Sequence, residues 1–211
     1  VYFLKSDLPE NDRERDRVLL QIMGSPDKRQ VDGIGGANPL TSKVAIINKS
    51  ERPGVDVDYL FAQVFVDEPI VGYGQNCGNI LAGVGQFAIE KGLVVASDPT
   101  TDIVVYMINS GDEAIITLMT PDKVVTYEGD TSIDGVLGKA APVSLNFLNT
   151  AGSFCGLLLP TGNSVDIIDS IKLTCIDNGM PLVIMQASDF GITGNETIEQ
   201  LETNKKLAAR I

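Results

Sequence analysis

The sequence contains no histidine in 211 residues. That absence removes Ser-His-Asp and Cys-His nucleophile pairs, histidine metal sites and a histidine general base together. Acid–base chemistry in this segment has to draw on Lys, Cys, Asp, Glu or Tyr. Cysteine is scarce as well: Cys77, Cys155 and Cys175 are widely spaced, odd in number and form no CxxC. Such a set argues against a zinc site or a disulfide framework and fits reduced thiols in the cytoplasm. Positive charge is short too, with 16 Lys and Arg against 28 Asp and Glu and a formal net charge of −12. Nucleic acid and anionic membranes are therefore poor partners, and an anionic substrate has to be held by local donors against the global field. No apolar run approaches the roughly 20 residues of a membrane span. Hydrophobic residues still make up 44% of the chain, enough for one large domain or one and a half smaller ones.

The most informative stretch is Gly72-Tyr73-Gly74-Gln75-Asn76-Cys77-Gly78-Asn79 with the apolar run from Ile80 to Ile89 behind it. It reads as a glycine-rich loop delivering a cysteine to the start of a helix. Ile80, Leu81, Val84, Phe87 and Ala88 recur at helical spacing, and Gly92 is placed to end the helix. Asn76 and Asn79 can cap free backbone N–H groups, and a cysteine at a helix start is favoured as thiolate. A small buried core cysteine is the competing reading. Gly83 and Gly85 inside the helix predict close approach of another backbone.

Val1–Leu4 reads as the inside of a strand and Leu207–Ile211 as mid-helix, so a portion of a longer polypeptide is expected. A helix should follow Asn11-Asp12 and end near Met23, with Val18, Leu19, Ile22 and Met23 inward and Arg13, Arg15 and Arg17 mostly outward. The flexible turn Val31–Ala37 precedes Thr41-Ser42-Lys43, which enters the strand Val44–Ile47. A lysine between a glycine-rich loop and a buried strand is poorly placed for ordinary surface duty, although a solvated lysine remains open. Residues 55–66 alternate as a strand, with Asp56 and Asp58 on one face; no third metal ligand is near, so they read as solvated carboxylates. Further strands are expected at 103–109, 114–119, 123–128, 143–148, 155–159, 172–176 and 182–186. Cys175 reads as packing, and Cys155 beside Gly156 as structural or exposed. The turn at Pro160–Asn163 lacks the lysine of a phosphate loop. Few helices among many strands predict an α+β domain whose curved, mainly antiparallel sheet wraps a central helix. Residues 1–190 would form that domain, and 191–211 a connecting helix.

Taken in order, several motifs carry a family resemblance: Met23–Asp27, Gln30–Gly36, Thr41–Ile46, Asp56–Val64, Asn76–Gly85, Pro160–Asn163 and Thr174–Pro181. Together they resemble the PrpF family of methylaconitate cis–trans isomerases, methylitaconate delta-isomerases and 4-oxalomesaconate tautomerases. The similarity spans essentially the whole chain, and Asp16–Gly85 is most similar to the oxalomesaconate tautomerases. The resemblance implies a diaminopimelate-epimerase-like fold of two similar halves with the active site in the cleft between them. This chain would be the first half, without the family's opening Gly-Gly-Thr-Ser-Lys-Gly strand, and the second half of the same polypeptide would be its partner. Two positions depart from the pattern: Gly72 where Asp is common, and Leu137 where Pro is common.

By the same resemblance, members move a double bond or its geometry in small unsaturated di- and tricarboxylates without a cofactor. Lys43 matches the acid–base lysine and Cys77 the site cysteine. Elementary chemistry agrees: taking a proton from carbon beside an unsaturated acid needs a base tuned near neutral pH, and the dienolate formed needs oxyanion donors. Gly35, Gly36, Ser42, Asn76, Gly78 and Asn79 are the candidate substrate-binding residues, through backbone N–H groups at 33–37 and 76–79. A two-cysteine racemase, needing a second cysteine facing Cys77, is the enzymatic rival. A non-catalytic carboxylate-binding domain is the rival of another class. Self-association to a homo-oligomer is left open.

Overall fold

Val44–Ile47 are buried without a break, and Val57–Val64 alternate between fully and partly buried, so these two strands must be covered on both faces. The computed structural model describes residues 1–211, as two compact units, Val1–Leu148 and Asn149–Ile211. The first runs β1 (Tyr2–Leu4), α1 (Asp12–Met23), β2 (Lys43–Lys49), β3 (Val57–Val64), β4 (Val71–Gly72), α2 (Gly78–Leu81), α3 (Val84–Glu90), β5 (Thr100–Met107), β6 (Asp112–Met119) and β7 (Val143–Phe147). Its seven-stranded sheet has the order β1-β2-β3-β5-β6-β7, with β4 added on β3. The β1–β2 and β3–β5 pairs are parallel and the rest antiparallel, so the sheet is mixed and the class α+β.

Pleat parity then assigns the faces. Ala45, Ile47, Val57, Tyr59 and Phe61 point to one side, where Leu81, Val84 and Ala88 of α2 and α3 pack on them. Val44, Ile46, Ala62 and Val64 point to the other, where Leu19 and Met23 of α1 cover them. Burial of each such large side chain stabilises by about 1.5–3 kcal/mol, which forces both helical layers onto the sheet. Helix α1 is capped by Asn11, whose Oδ1 accepts from the N–H groups of Arg13 and Glu14, and it stops at Gly24 in the left-handed conformation. Arg15 is not turned outward: it pairs with Asp12 and lies over the Tyr73 ring.

The single helix expected after the cysteine is broken at Ala82–Gly83. A Cβ on Gly83 would lie 2.2 Å from the Tyr2 hydroxyl, and one on Gly85 would lie 3.0 Å from Leu118 and 3.1 Å from Ile116. The glycines thus make room for side chains, not for another backbone. No strand forms at 123–128, because Asp122 and Lys123 take positive φ in the turn after Pro121. None forms at 155–159 either: the Asp177 carboxylate takes the N–H groups of Phe154 and Cys155, leaving no ladder to build.

The second unit holds β8 (Asp166–Ile168), β9 (Ile171–Asp177) and β10 (Pro181–Met185) in an antiparallel sheet, then α4 (Ile198–Glu202) and α5 (Lys205–Ala208). The capping box of Thr197 and Gln200 opens α4. No helix is long and apolar enough to cross a membrane.

Candidate active site

Lys43 is the first residue of β2 and shares a face with Ala45 and Ile47, the side covered by α2 and α3. Its side chain runs over the Phe61 ring, with Nζ 6.0 Å from the ring centroid. It donates to Cys77 Sγ at 3.4 Å. Cys77 is the N-cap residue of α2, half-buried against the α2–α3 side of the core. A lysine and a cysteine 34 residues apart are thereby placed in contact.

The turn around Cys77 is held by phenols beneath it. Tyr59 is fully buried and donates to the Cys77 carbonyl at 3.3 Å, while Tyr2 donates to the Ile80 carbonyl at 2.7 Å. Burial first, then the neighbouring Cys77 and Tyr2, drive the Tyr59 phenol far above its ordinary range, so it remains a donor. Neither tyrosine was expected at the site from sequence. The signal lay in the inward parity of Tyr59, since a buried phenol must find an acceptor.

Asn76 does not cap the helix and neither does Asn79: α2 has no side-chain cap. The Asn76 amide instead donates to Ser110 Oγ at 2.7 Å, and its Oδ1 is buried without a partner. The N–H groups of Asn76, Cys77, Gly78 and Asn79 have no acceptor within the chain. Because α2 is a single turn, these groups act as local donors rather than through a large macrodipole. Gly78 opens α2 against Phe147, and Asn79 is exposed.

Gly35, Gly36 and Ser42 belong to a knot built on Gln30, with Ser42 next to Lys43 in the chain. Ile34 N–H donates to the Ile22 carbonyl, Gly35 N–H to the Met23 carbonyl and Gly33 N–H to the Gln30 carbonyl. The glycine-rich segment is therefore the C-terminal cap of α1, and of the N–H groups at 33–37 only that of Gly36 is free. Gln30, 2% exposed, donates through Nε2 to Ser25 Oγ and Ser42 Oγ and accepts from Ala37 N–H. Ser42 is fully buried with its hydroxyl committed to that contact. Gln30→Glu loses both donated bonds. The Ser42 hydroxyl can turn to donate to the new carboxylate, but Ser25 Oγ, whose hydrogen goes to the Phe65 carbonyl, meets it acceptor to acceptor, and the change should cost about 1–3 kcal/mol. The urea midpoint of the variant tests this: a midpoint equal to that of the parent would show that the knot does not depend on the amide.

A cavity of about 310 Å³ opens at the end of these strands, lined by Gln63, Phe65, Gly72, Gly74 and Gln75. Gln63 is the cross-strand partner of both Lys43 and Gly72, which puts the cavity beside the lysine's strand position. A larger one, of about 430 Å³, lies at the far end of β2 among Lys5, Lys49, Arg52 and Asp58. Its charges answer one another: Asp58 accepts from Ser50 Oγ at 2.8 Å and pairs with Arg52 at 3.4 Å. Asp56 accepts from Val104 N–H. The two carboxylates are structural ties and not merely solvated. Cys155 is exposed and Cys175 half-buried.

The chain is 59% identical over 210 residues to a (4E)-oxalomesaconate Delta-isomerase of Novosphingobium, and 58% over 211 residues to a 4-oxalomesaconate tautomerase of Pseudomonas putida. All of this chain is matched in each case, against 59% and 58% of those proteins. The crystal structure of a methylitaconate-delta-isomerase superposes with a TM-score of 0.81 at 42% identity, over 99% of this chain and 55% of that one. The chain thus spans less than two thirds of the length of these relatives. The PrpF protein family matches residues 1–211, the entire sequence, and the chain belongs to that family.

Proposed function

We propose that the polypeptide carrying this chain is a cofactor-independent isomerase that moves a proton and a double bond in a small unsaturated di- or tricarboxylate. The reaction most like it is that of the 4-oxalomesaconate tautomerases, on the strength of the two relatives so named. The observation that carries the reading is the 3.4 Å contact of Lys43 Nζ with Cys77 Sγ, beside a row of unpaired N–H groups.

The Lys43 amine takes the proton from the carbon adjacent to the unsaturated acid. Negative charge then spreads onto a substrate oxygen as a dienolate, and donors fixed in advance stabilise it without reorganising. The N–H groups at Asn76–Asn79 are such donors, and they also suit a substrate carboxylate. Return of the proton to a different carbon, from Lys43 or from Cys77 as second acid–base group, completes the shift.

The remainder of the polypeptide closes the site as a second, similar half, and the first half is diaminopimelate-epimerase-like, its sheet wrapping α2 and α3. On this reading residues 1–190 are one domain, residues 191–211 connect it to the next, and the protein works in the cytoplasm. The unpaired N–H groups would serve a non-catalytic carboxylate-binding domain equally well, so a test must detect chemistry. Proton NMR of the full-length polypeptide in deuterated water with oxalomesaconate, methylaconitate and methylitaconate supplies one. Deuterium should enter an allylic position of one substrate and should fail to do so with Lys43→Ala. Folded protein that exchanges none of the three is a binding domain or a racemase instead.

A further inference from the structure

The turn between β5 and β6 contributes nothing to the Lys43–Cys77 contact itself, yet two successive side chains on it grip the segment that carries Cys77. The β3–β5 ladder ends at Tyr59 and Met107. Beyond it the Asn109 amide takes over as the next rung: Oδ1 accepts from Phe61 N–H at 2.8 Å and Nδ2 donates to the Phe61 carbonyl at 2.9 Å. The second hydrogen of Nδ2 goes to the Tyr73 carbonyl at 2.8 Å, so one side chain joins the strand under Lys43 to the loop leading to Cys77. Ser110 adds a second tie, its Oγ accepting from Asn76 Nδ2 at 2.7 Å, one residue before the cysteine.

These bonds are specific in direction. The Asn109 amide uses both donors and its acceptor, leaving nothing free to rotate toward another partner. Ser110 fixes the Asn76 amide with its oxygen buried and unpartnered, an arrangement a loop free to relax would abandon. Gly111, with φ of +79°, suffices for the reversal between β5 and β6, and reversal alone needs neither side chain to reach back.

We propose that Asn109 and Ser110 are positioning residues that act through the Cys77 segment, by fixing where Sγ stands relative to Lys43 Nζ. This rests on the reading of Lys43 and Cys77 as the reacting pair. Tyr59, donating to the Cys77 carbonyl, is the third point of the same clamp. Catalytic groups tolerate little displacement, and misplacement by an ångström is worth up to about 100-fold in rate.

The experiment uses the full-length polypeptide with Ser110→Ala, Ser110→Thr and Asn109→Asp, the last keeping shape and acceptor but losing both donated bonds. Ser110→Ala and Asn109→Asp should lower kcat on 4-oxalomesaconate by about 10- to 100-fold with little change in KM. Ser110→Thr, which retains the hydroxyl, should restore it. In a Cys77→Ala background the effect of Ser110→Ala on kcat should shrink, because the side-chain group it is proposed to position is gone. Iodoacetamide alkylation of the peptide containing Cys77 gives a readout that needs no turnover, and its rate should change in the same two variants and recover with threonine. Unchanged alkylation in folded Ser110→Ala overturns the positioning role, whether or not the isomerase reading stands. A kcat loss that persists in full on the Cys77→Ala background overturns it as well. Should Asn109→Asp fail to fold, Ser110→Ala, which loses only bonds to its own side chain, decides the matter.

Discussion

Lys43→Ala in the full-length polypeptide is expected to lower kcat by about 10²–10⁴-fold, the range that one positioned acid–base group contributes. Lys43→Arg should not rescue it. A guanidinium keeps the positive charge and can reach the same thiol, but it does not give up its proton at any working pH. If charge alone mattered at this position, arginine would retain most of the rate; if proton transfer matters, both variants fail together. Fold stability should hardly move, because Lys43 is half-buried at a strand end and its only side-chain hydrogen bond goes to a sulfur. The thermal midpoint measured beside kcat therefore separates lost chemistry from lost structure. A folded Lys43→Ala protein with kcat within tenfold of the parent would remove the lysine from the reaction. Cys77→Ser should cost less, since the amine remains to take the proton.

The strand pattern was legible because it rests on pleat parity. Val44 to Ile47 is an unbroken apolar run and Val57 to Val64 a largely alternating one with Leu60 and Ala62 on the second face, and a sheet covered on both faces buries both sets. The cap of α1 at Gly24 and the delivery of Cys77 to a helix start are equally local and equally readable. Contact between Lys43 and Cys77 was not legible from spacing. It depends on register, which pairs Lys43 with Gln63 and Gln63 with Gly72, and register is a property of three strands at once. The chemistry assigned to the pair came from resemblance to a family. How the glycine-rich run at 33–37 spends its N–H groups was not legible, for a physical reason. A chain rich in glycine can present N–H groups to an anion or press them against helix carbonyls, and composition does not choose between the two. Gln30 makes the choice, by accepting from Ala37 N–H while its amide hydrogens anchor Ser25 and Ser42. Asn109 and Ser110 were hidden in the same way, as turn residues whose side chains reach back to elements distant in sequence.

Gly33→Ala should be the most destabilising single methyl addition in the first unit, by about 3–5 kcal/mol. A Cβ there would stand 2.2 Å from both the Met23 carbonyl carbon and the Gly24 nitrogen, and backbone cannot swing aside as a side chain can. Relief requires the segment to lift from the end of α1, which breaks the bonds to the Ile22 and Met23 carbonyls, worth about 1 kcal/mol each, and adds the about 1–3 kcal/mol typical of overpacking. The left-handed conformation plays no part, since Gly33 has ordinary φ. Gly54→Ala is the matching control: Gly54 has φ of +78° and open space around its Cβ position, so it carries the conformational cost without the collision. That control should lose only about 1 kcal/mol. At roughly 2–4 °C per kcal/mol, the two variants should differ in thermal midpoint by several degrees or more. Equal midpoints would mean that conformation, not space, sets the glycine requirement, and that the segment is not pressed against the helix as described. The contrast bears on the site as well, because lifting the segment pulls on Ala37 and, through Gln30, on Ser42, the residue immediately before Lys43. Gly33→Ala protein that stays folded at low temperature should accordingly lose kcat alongside stability, whereas Gly54→Ala should keep its kcat.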